Sequence, residues 1–182
     1  MRVGECGEMA TVSTTTIDAY LRSSFEPDAE YVDGEIRERA VGELDHAAWQ
    51  SAIQKWFWMR EKEWGIRVFA ELRVQVAPTR FRVPDVIVLE NTGPLRQMDQ
   101  IVRTPPIAVF EILSPEDSLA RMMEKLADYE SMGIAATFVI DPKSGSKYQY
   151  SGGDLKLADR TSISVGRTVR NFSMSEFEQF LS

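Results

Sequence analysis

The sequence predicts an α/β domain, and three stretches of the chain carry that expectation. Ile107 to Leu113 is a continuous apolar run broken only by Glu111, lying between Pro105-Pro106 and Ser114-Pro115. Such a run reads as a central strand buried on both faces. Leu119, Met122, Met123, Leu126 and Tyr129 then recur at helical spacing up to Gly133, after which Thr137-Phe138-Val139-Ile140 reads as a returning strand. Strand, helix and strand over this length form a right-handed crossover, so the two strands should be parallel. Near the other end, Asp33-Gly34 between Glu30-Tyr31-Val32 and Glu35 to Arg39 is the strongest short hairpin signal in the chain.

The remaining elements follow in order. Residues 1–12 read as a disordered leader, and 13–182 as one domain, a length that supports a single substantial core. Thr15 to Leu21 suits a short helix with a threonine cap. Asp45 is the expected N-cap of a helix running to about Trp64, with Trp49, Ile53, Trp56 and Phe57 on its apolar face and Gly65 ending it. Val68, Leu72, Val74 and Val76 suit one strand, and Pro78-Thr79 turns the chain into the strand of Asp85 and Val86 to Leu89. Glu90 to Pro106, around Gly93-Pro94, reads as a long surface loop. Ser114-Pro115-Glu116-Asp117 has the pattern of a helix start: a serine cap, proline at the first position and acids in the first turn. Lys147 to Tyr150 and Leu155 to Leu157 flank Gly152-Gly153-Asp154 as a second hairpin, and Ser173 with Glu176 forms a capping box for a short closing helix.

Composition narrows the setting. A net charge of −7 weighs against indiscriminate binding to a polyphosphate. The lone Cys6 leaves no disulfide framework, which favours a reducing, cytoplasmic location. No apolar stretch reaches the length needed to cross a bilayer, and the first residues lack the apolar core of a signal peptide, so no membrane partner is expected.

Two acids carry the functional expectation. Glu111 inside an apolar strand, and Asp85 behind Pro84 at the head of another, each need a cation, a proton or dedicated donors. If the strands are neighbours, both side chains can converge on one hard cation such as Mg²⁺, with Mn²⁺ as a substitute. The competing reading is structural, with Asp85 capping a strand end and Glu111 paired to an arginine. Lys125, on the shoulder of the apolar stripe, is the candidate cationic partner, or else an ordinary snorkelling lysine. Glu30 and Glu35 extend the metal site or decorate a solvated hairpin. His46 lies in the first turn of its helix, where the dipole opposes protonation; it acts near a phosphate as a neutral ring or serves in packing. Arg80, Arg82 and Arg73 are candidates for a local basic rim facing nucleic acid, or a solvated strand face. Trp49, Trp56, Trp58 and Trp64 read as core and interface residues rather than base-stacking platforms.

Together these residues resemble the Uma-two family of restriction-endonuclease-like proteins, within the PD-(D/E)XK phosphodiesterase superfamily. The resemblance runs from about Tyr20 to Leu181. It rests on Glu30-Tyr31-Val32-Asp33-Gly34-Glu35, His46, Arg82-Val83-Pro84-Asp85-Val86, Glu111-Ile112-Leu113-Ser114-Pro115, Lys125 with Tyr129 and Gly133, and Val139-Ile140-Asp141-Pro142. It implies a mixed sheet between helices and Mg²⁺-dependent hydrolysis of a nucleic-acid phosphodiester, DNA being the expected substrate. Asp85 and Glu111 would be metal ligands, joined by the backbone carbonyl of Ile112. The superfamily's lysine would be moved from position 113, here Leu113, to the helix carrying Lys125. Many members carry an Arg-Asp pair ahead of that lysine, where this chain has Ala120-Arg121-Met122-Met123. These departures and the acidic balance motivate the alternative, a degenerate nuclease fold used for assembly or nucleic-acid binding. Restriction-type nucleases often pair so that each subunit cuts one strand, so a homodimer or higher homo-oligomer is expected.

Overall fold

A computed structural model describes residues 15–25, 28–39 and 43–181. The expected leader, residues 1–12, lies outside them. Helix α1 (Ile17–Arg22) starts at Thr16, whose hydroxyl accepts from the Ala19 N–H at 3.2 Å. Strands β1 (Ala29–Val32) and β2 (Glu35–Glu38) form the expected hairpin. Its two turn residues both have positive φ, 51° at Asp33 and 101° at Gly34, as a two-residue turn matched to the twist of its strands requires.

Helix α2 spans Leu44–Trp58 with Glu43 at its N-cap, two residues earlier at its start than the Asp45 cap predicted. Asp45 instead sits in the first turn, where its charge favours the positive end of the helix. The helix also stops short of Trp64. Arg60 N–H bonds back to Phe57 O at 2.9 Å, and the Arg60 guanidinium lies 3.6 Å from the Trp56 ring centre. This tight turn lets α3 (Glu61–Trp64) fold Trp64 against Trp56, ring centres 5.5 Å apart, before Gly65 ends it in a left-handed conformation.

The single strand expected from Val68 to Val76 is two. Glu71, at φ 54°, redirects the chain between β3 (Ile66–Ala70) and β4 (Val74–Ala77), which belong to different sheets. Strands β5 (Arg80–Arg82) and β6 (Val86–Glu90) follow, with Asp85 just ahead of β6 rather than inside it. The loop to Pro106 holds only a short 3₁₀ turn and a bridge from Val102 to Val74. Glu111 lies within β7 (Ala108–Ile112). Helix α4 spans Leu119–Met132 and is capped by Ser118, not by Ser114. Residues 114–117 close a turn of their own, in which the Asp117 carboxylate accepts from Ser114 N–H at 2.8 Å.

Strand β8 (Thr137–Asp141) pairs parallel to β7, as the crossover requires. Strands β9 (Ser146–Ser151) and β10 (Asp154–Leu157) form the second hairpin and extend the same sheet. A further hairpin, β11 (Arg160–Val165) with β12 (Thr168–Ser173), is not among the expected elements. Ile163, Val165 and Phe172 are its buried residues, a thin apolar alternation among polar and charged neighbours. The closing helix, Met174–Phe180, is of the 3₁₀ type and has the expected capping box of Ser173 and Glu176.

The central sheet has six strands in the order β10-β9-β8-β7-β6-β3, every pair antiparallel except β7 with β8. A second sheet, β2-β1-β5-β4, carries the first hairpin. Period-two alternation divides the central sheet between two cores. Val86, Val88, Phe110, Ile112, Phe138 and Ile140 face α2 and the closing helix. Ile87, Leu89, Val109 and Val139 face α4, meeting Met122, Leu126 and Tyr129. The fold is therefore a mixed sheet flanked by helices, with hairpins added toward both ends.

Candidate active site

Strand parity determines what the α4 side of the sheet contains besides apolar side chains. Glu111 shares the parity of Val109, and Asp85 that of Ile87, so both acids belong to the α4 face. Val86 pairs with Phe110 and Ile87 with Val109; one step further along this register sets position 85 against 111. The Asp85 carboxylate completes the approach by accepting from the Ile112 N–H at 2.7 Å. The two acids are 3% and 2% exposed.

Helix α4 brings its charge to the same place. Lys125 and Tyr129, one helical turn apart, both reach Glu111: the ammonium donates to Oε2 at 2.8 Å and the phenol to Oε1 at 2.6 Å. Lys125 Nζ also donates to Val83 O at 2.9 Å and pairs with Glu30 Oε1 at 2.9 Å. Its three N–H bonds thus have three protein acceptors, and it is buried rather than snorkelling. Glu30 points inward from β1, where it also holds Arg82 at 2.8 Å and the Val83 N–H at 3.1 Å. His46 Nε2 lies 3.3 Å from Asp85 Oδ2, while the Arg39 guanidinium grips Oδ1 and reaches Glu71 at 3.2 Å.

Burial and charge compete at each group. Burial pushes the Glu111 carboxyl up to about 7; Lys125 opposes this and the Asp85 charge adds to it. Burial works the same way on Asp85, but hydrogen bonding from His46 and the charges of Lys125 and Arg39 outweigh it and hold that carboxyl below its ordinary range. Glu30 is likewise lowered, burial being overcome by Lys125 and Arg82. Lys125 is raised: burial opposes the charge, and Glu111 and Glu30 more than restore it. The sequence suggested a neutral His46. Burial does favour that form, but the Asp85 carboxylate outweighs it and raises the imidazole pKa.

Asp85, Glu111, Lys125, Glu30 and His46 line one cavity of about 260 Å³, joined there by Ile112. Glu35 is not part of it. One residue past the turn, its exposed carboxylate pairs with Arg37 at 2.8 Å. The expected basic rim is also absent as such. Arg82 is 2% exposed and bound to Glu30 and Asp128; Arg80 is bound to Asp33 and Asp128; Arg73 lies over the Tyr20 ring and reaches Asp28. These arginines tie the small sheet to α4 or to α1 instead of facing an open surface. Of the tryptophans, Trp49 and Trp56 are core residues, and Trp58 is exposed.

Three cations of the cavity, Arg37, Arg39 and Arg121, were not singled out from sequence as site residues. Arg39 follows β2, two residues beyond Arg37, and nothing local marks its long-range partner. Arg121 is exposed at the mouth and pairs with no carboxylate among the described residues. Tyr129 carries a signal that was available, its four-residue spacing from Lys125.

Among the described residues no three His, Cys, Asp or Glu side chains converge as a ready-made metal cage. The donor chemistry nevertheless fits a hard divalent cation. Two buried carboxylates stand opposite one another, and the one pushed up to about 7 leaves negative charge that such an ion would offset, with water filling its remaining positions. No helix among the described residues is long and apolar enough to cross a membrane.

Comparison with known proteins agrees with the fold. No curated protein matches the chain. The chain is similar to a solved structure from Anabaena variabilis described as a "putative nuclease belonging to DUF820": identity is 22%, coverage 92% of this chain and 99% of that one, and the TM-score 0.75, a likeness of fold. The Uma2 family model, described as "Putative restriction endonuclease", matches residues 17–169, which takes in every residue of the cavity. The chain belongs to the Uma2 (Uma-two) family.

Proposed function

We propose that this protein is a divalent-cation-dependent endonuclease that hydrolyses DNA phosphodiester bonds in the Asp85–Glu111 cavity. The observation that carries the reading is the pair of buried carboxylates set opposite each other, one just ahead of β6 and one within β7, open to one cavity beneath α4. Asp85, Glu111 and the Ile112 carbonyl would hold Mg²⁺ or Mn²⁺. Bound there, the ion supplies Lewis-acid polarisation of the phosphodiester and a more acidic water. Lys125 fixes the direction of Glu111 and Glu30, and Tyr129 fixes the other Glu111 oxygen. With its donors already committed, Lys125 acts as a positioning residue. His46, held by Asp85 at the cavity wall, is placed to donate a proton or a hydrogen bond to a phosphate oxygen. Plasmid nicking with Mg²⁺ or Mn²⁺ tests the reading. Wild type should convert supercoiled to open-circular DNA, and Asp85→Ala and Glu111→Ala should not; equal background in all three would sink it.

A specific observation favours a second reading, a degenerate nuclease fold that binds without cutting. All four oxygens of Asp85 and Glu111 are engaged by protein donors. Calorimetric titration with Mn²⁺ separates the two. Micromolar binding that Glu111→Ala removes supports the enzyme, and its absence supports the binding module.

A further inference from the structure

The groups engaging the two carboxylates differ in how easily they can leave. The Ile112 N–H is main chain within the sheet. Tyr129 is fully buried on α4, and Lys125 is pinned by three acceptors. His46 shares the Asp85 oxygen already held by Ile112. Arg39 differs from all of these. It lies just past the last paired residue of β2, its side chain is 14% exposed, and it alone among these groups holds Asp85 Oδ1. Its second partner, Glu71, is itself half exposed. Arg39 also lines the cavity, as do Arg37 and Arg121.

From this difference we infer that Arg39 is a cation-displaced latch: its guanidinium occupies Asp85 Oδ1, a divalent ion takes that oxygen in its place, and the freed guanidinium turns to a phosphate of the nucleic acid. The inference rests on the reading of this cavity as a cation-dependent phosphodiesterase site and adds to it an order of events. A divalent ion and a guanidinium on the same carboxylate oxygen repel each other at contact distance, so the two compete for it. A guanidinium presents a planar fork of donors that matches two phosphate oxygens, so the displaced side chain has a partner of the right geometry on the substrate. Cation binding and DNA binding are then coupled through one residue: DNA that holds Arg39 away from Asp85 favours the ion, and the ion that ejects Arg39 favours DNA.

The test uses the full chain and two probes: Mn²⁺ alone by calorimetry, and a fluorescent DNA duplex by anisotropy with and without Ca²⁺. Arg39→Gln should bind Mn²⁺ about tenfold tighter than wild type, because a charge-assisted bond no longer competes. Arg37→Ala, which removes a positive charge from the same cavity without touching Asp85, should change Mn²⁺ affinity less than about twofold, a screened long-range effect. Ca²⁺ should tighten duplex binding by wild type, and Arg39→Gln should lose that gain. Arg39→Ala is the second variant, read the same way if the glutamine variant fails to fold. Equal Mn²⁺ affinity in wild type and the Arg39 variants overturns the latch, as does an equal shift in the Arg37 and Arg39 variants. If wild type binds Mn²⁺, Asp85→Asn abolishes it and the Arg39 variants leave it unmoved, the latch alone falls. If no variant and no wild type binds Mn²⁺, the latch falls together with the cation reading.

Discussion

Replacing Lys125 with methionine keeps roughly the volume and removes the charge that joins β1, β7 and the Val83 carbonyl. Three acceptors lose their donor: Val83 O, Glu111 Oε2 and Glu30 Oε1. Glu30 keeps Arg82 and the Val83 N–H, but Glu111 keeps only the Tyr129 hydroxyl. Breaking a buried pair by removing one partner costs about 3–5 kcal/mol. With a urea dependence of about 2 kcal/mol per molar for a chain of this size, the unfolding midpoint should fall by roughly 2 M. The pH dependence has a definite sign. The Glu111 carboxyl is raised to about 7, so the folded chain keeps a proton that the unfolded chain has released. Its stabilising contribution is complete below the unfolded value of about 4.3 and is lost as pH rises to about 7. In wild type that loss levels off above 7. Without Lys125 the carboxyl is raised further, so the variant should keep losing about 1.4 kcal/mol per pH unit between pH 7 and 8. Urea unfolding of both proteins at pH 6, 7 and 8 measures this. A midpoint shift below about 0.5 M, or parallel pH curves, would show that Lys125 is a peripheral lysine and that the buried network is wrongly described.

Other positions give independent tests. Tyr129→Phe removes the second donor to Glu111 and should cost about 1.5–3 kcal/mol in urea unfolding, the range for a bond to a charged group. Asp159 accepts from the Ser173 and Ser175 hydroxyls and the Ser175 N–H at the start of the closing 3₁₀ helix; Asp159→Ala should cost about 1 kcal/mol, as loss of a helix cap does. Arg121→Glu, at the exposed mouth of the cavity, should weaken duplex binding and lower the slope of log affinity against log salt by about 1, with urea stability unchanged within about 0.5 kcal/mol.

The sequence was most legible where one physical rule acted alone. The buried run of Ile107 to Leu113, the parallel return to Thr137 and the two glycine-bearing hairpin turns each follow from hydrophobic burial or from a single backbone requirement. Reading failed where a contact from elsewhere in the chain overrode the local rule. Nothing near Met59 breaks a helix; the break comes from Arg60 stacking on Trp56 and Trp64 folding back. Glu71 carries no turn signal, yet its positive φ sends β3 and β4 to different sheets. The arginines show the same limit. Alternation along β5 gives Arg80 and Arg82 one face, and only the position of Asp128 and Glu124 on α4 decides that this face is buried in ion pairs. Arg39 was silent for the same reason, since its partner is 46 residues away.

Moving the lysine from the strand to the helix changes what it can do. Position 113 has the parity of Glu111, so a lysine there would extend along the same sheet face from a strand end. Leu113 instead packs, partly buried, in the apolar cluster beneath α4. Lys125 approaches from above, and α4 holds it where β1 and β7 each offer a carboxylate. A cation in that position holds the small sheet to the central one as well as orienting Glu111. Arg82 reinforces the same joint, reaching Glu30 on one side and Asp128 of α4 on the other. Charge at 125 therefore stabilises the fold whether or not the cavity cuts DNA, so loss of activity in a Lys125 variant says little about chemistry. The discriminating substitutions are those at Arg39 and Arg121, which line the cavity from less buried positions than Lys125.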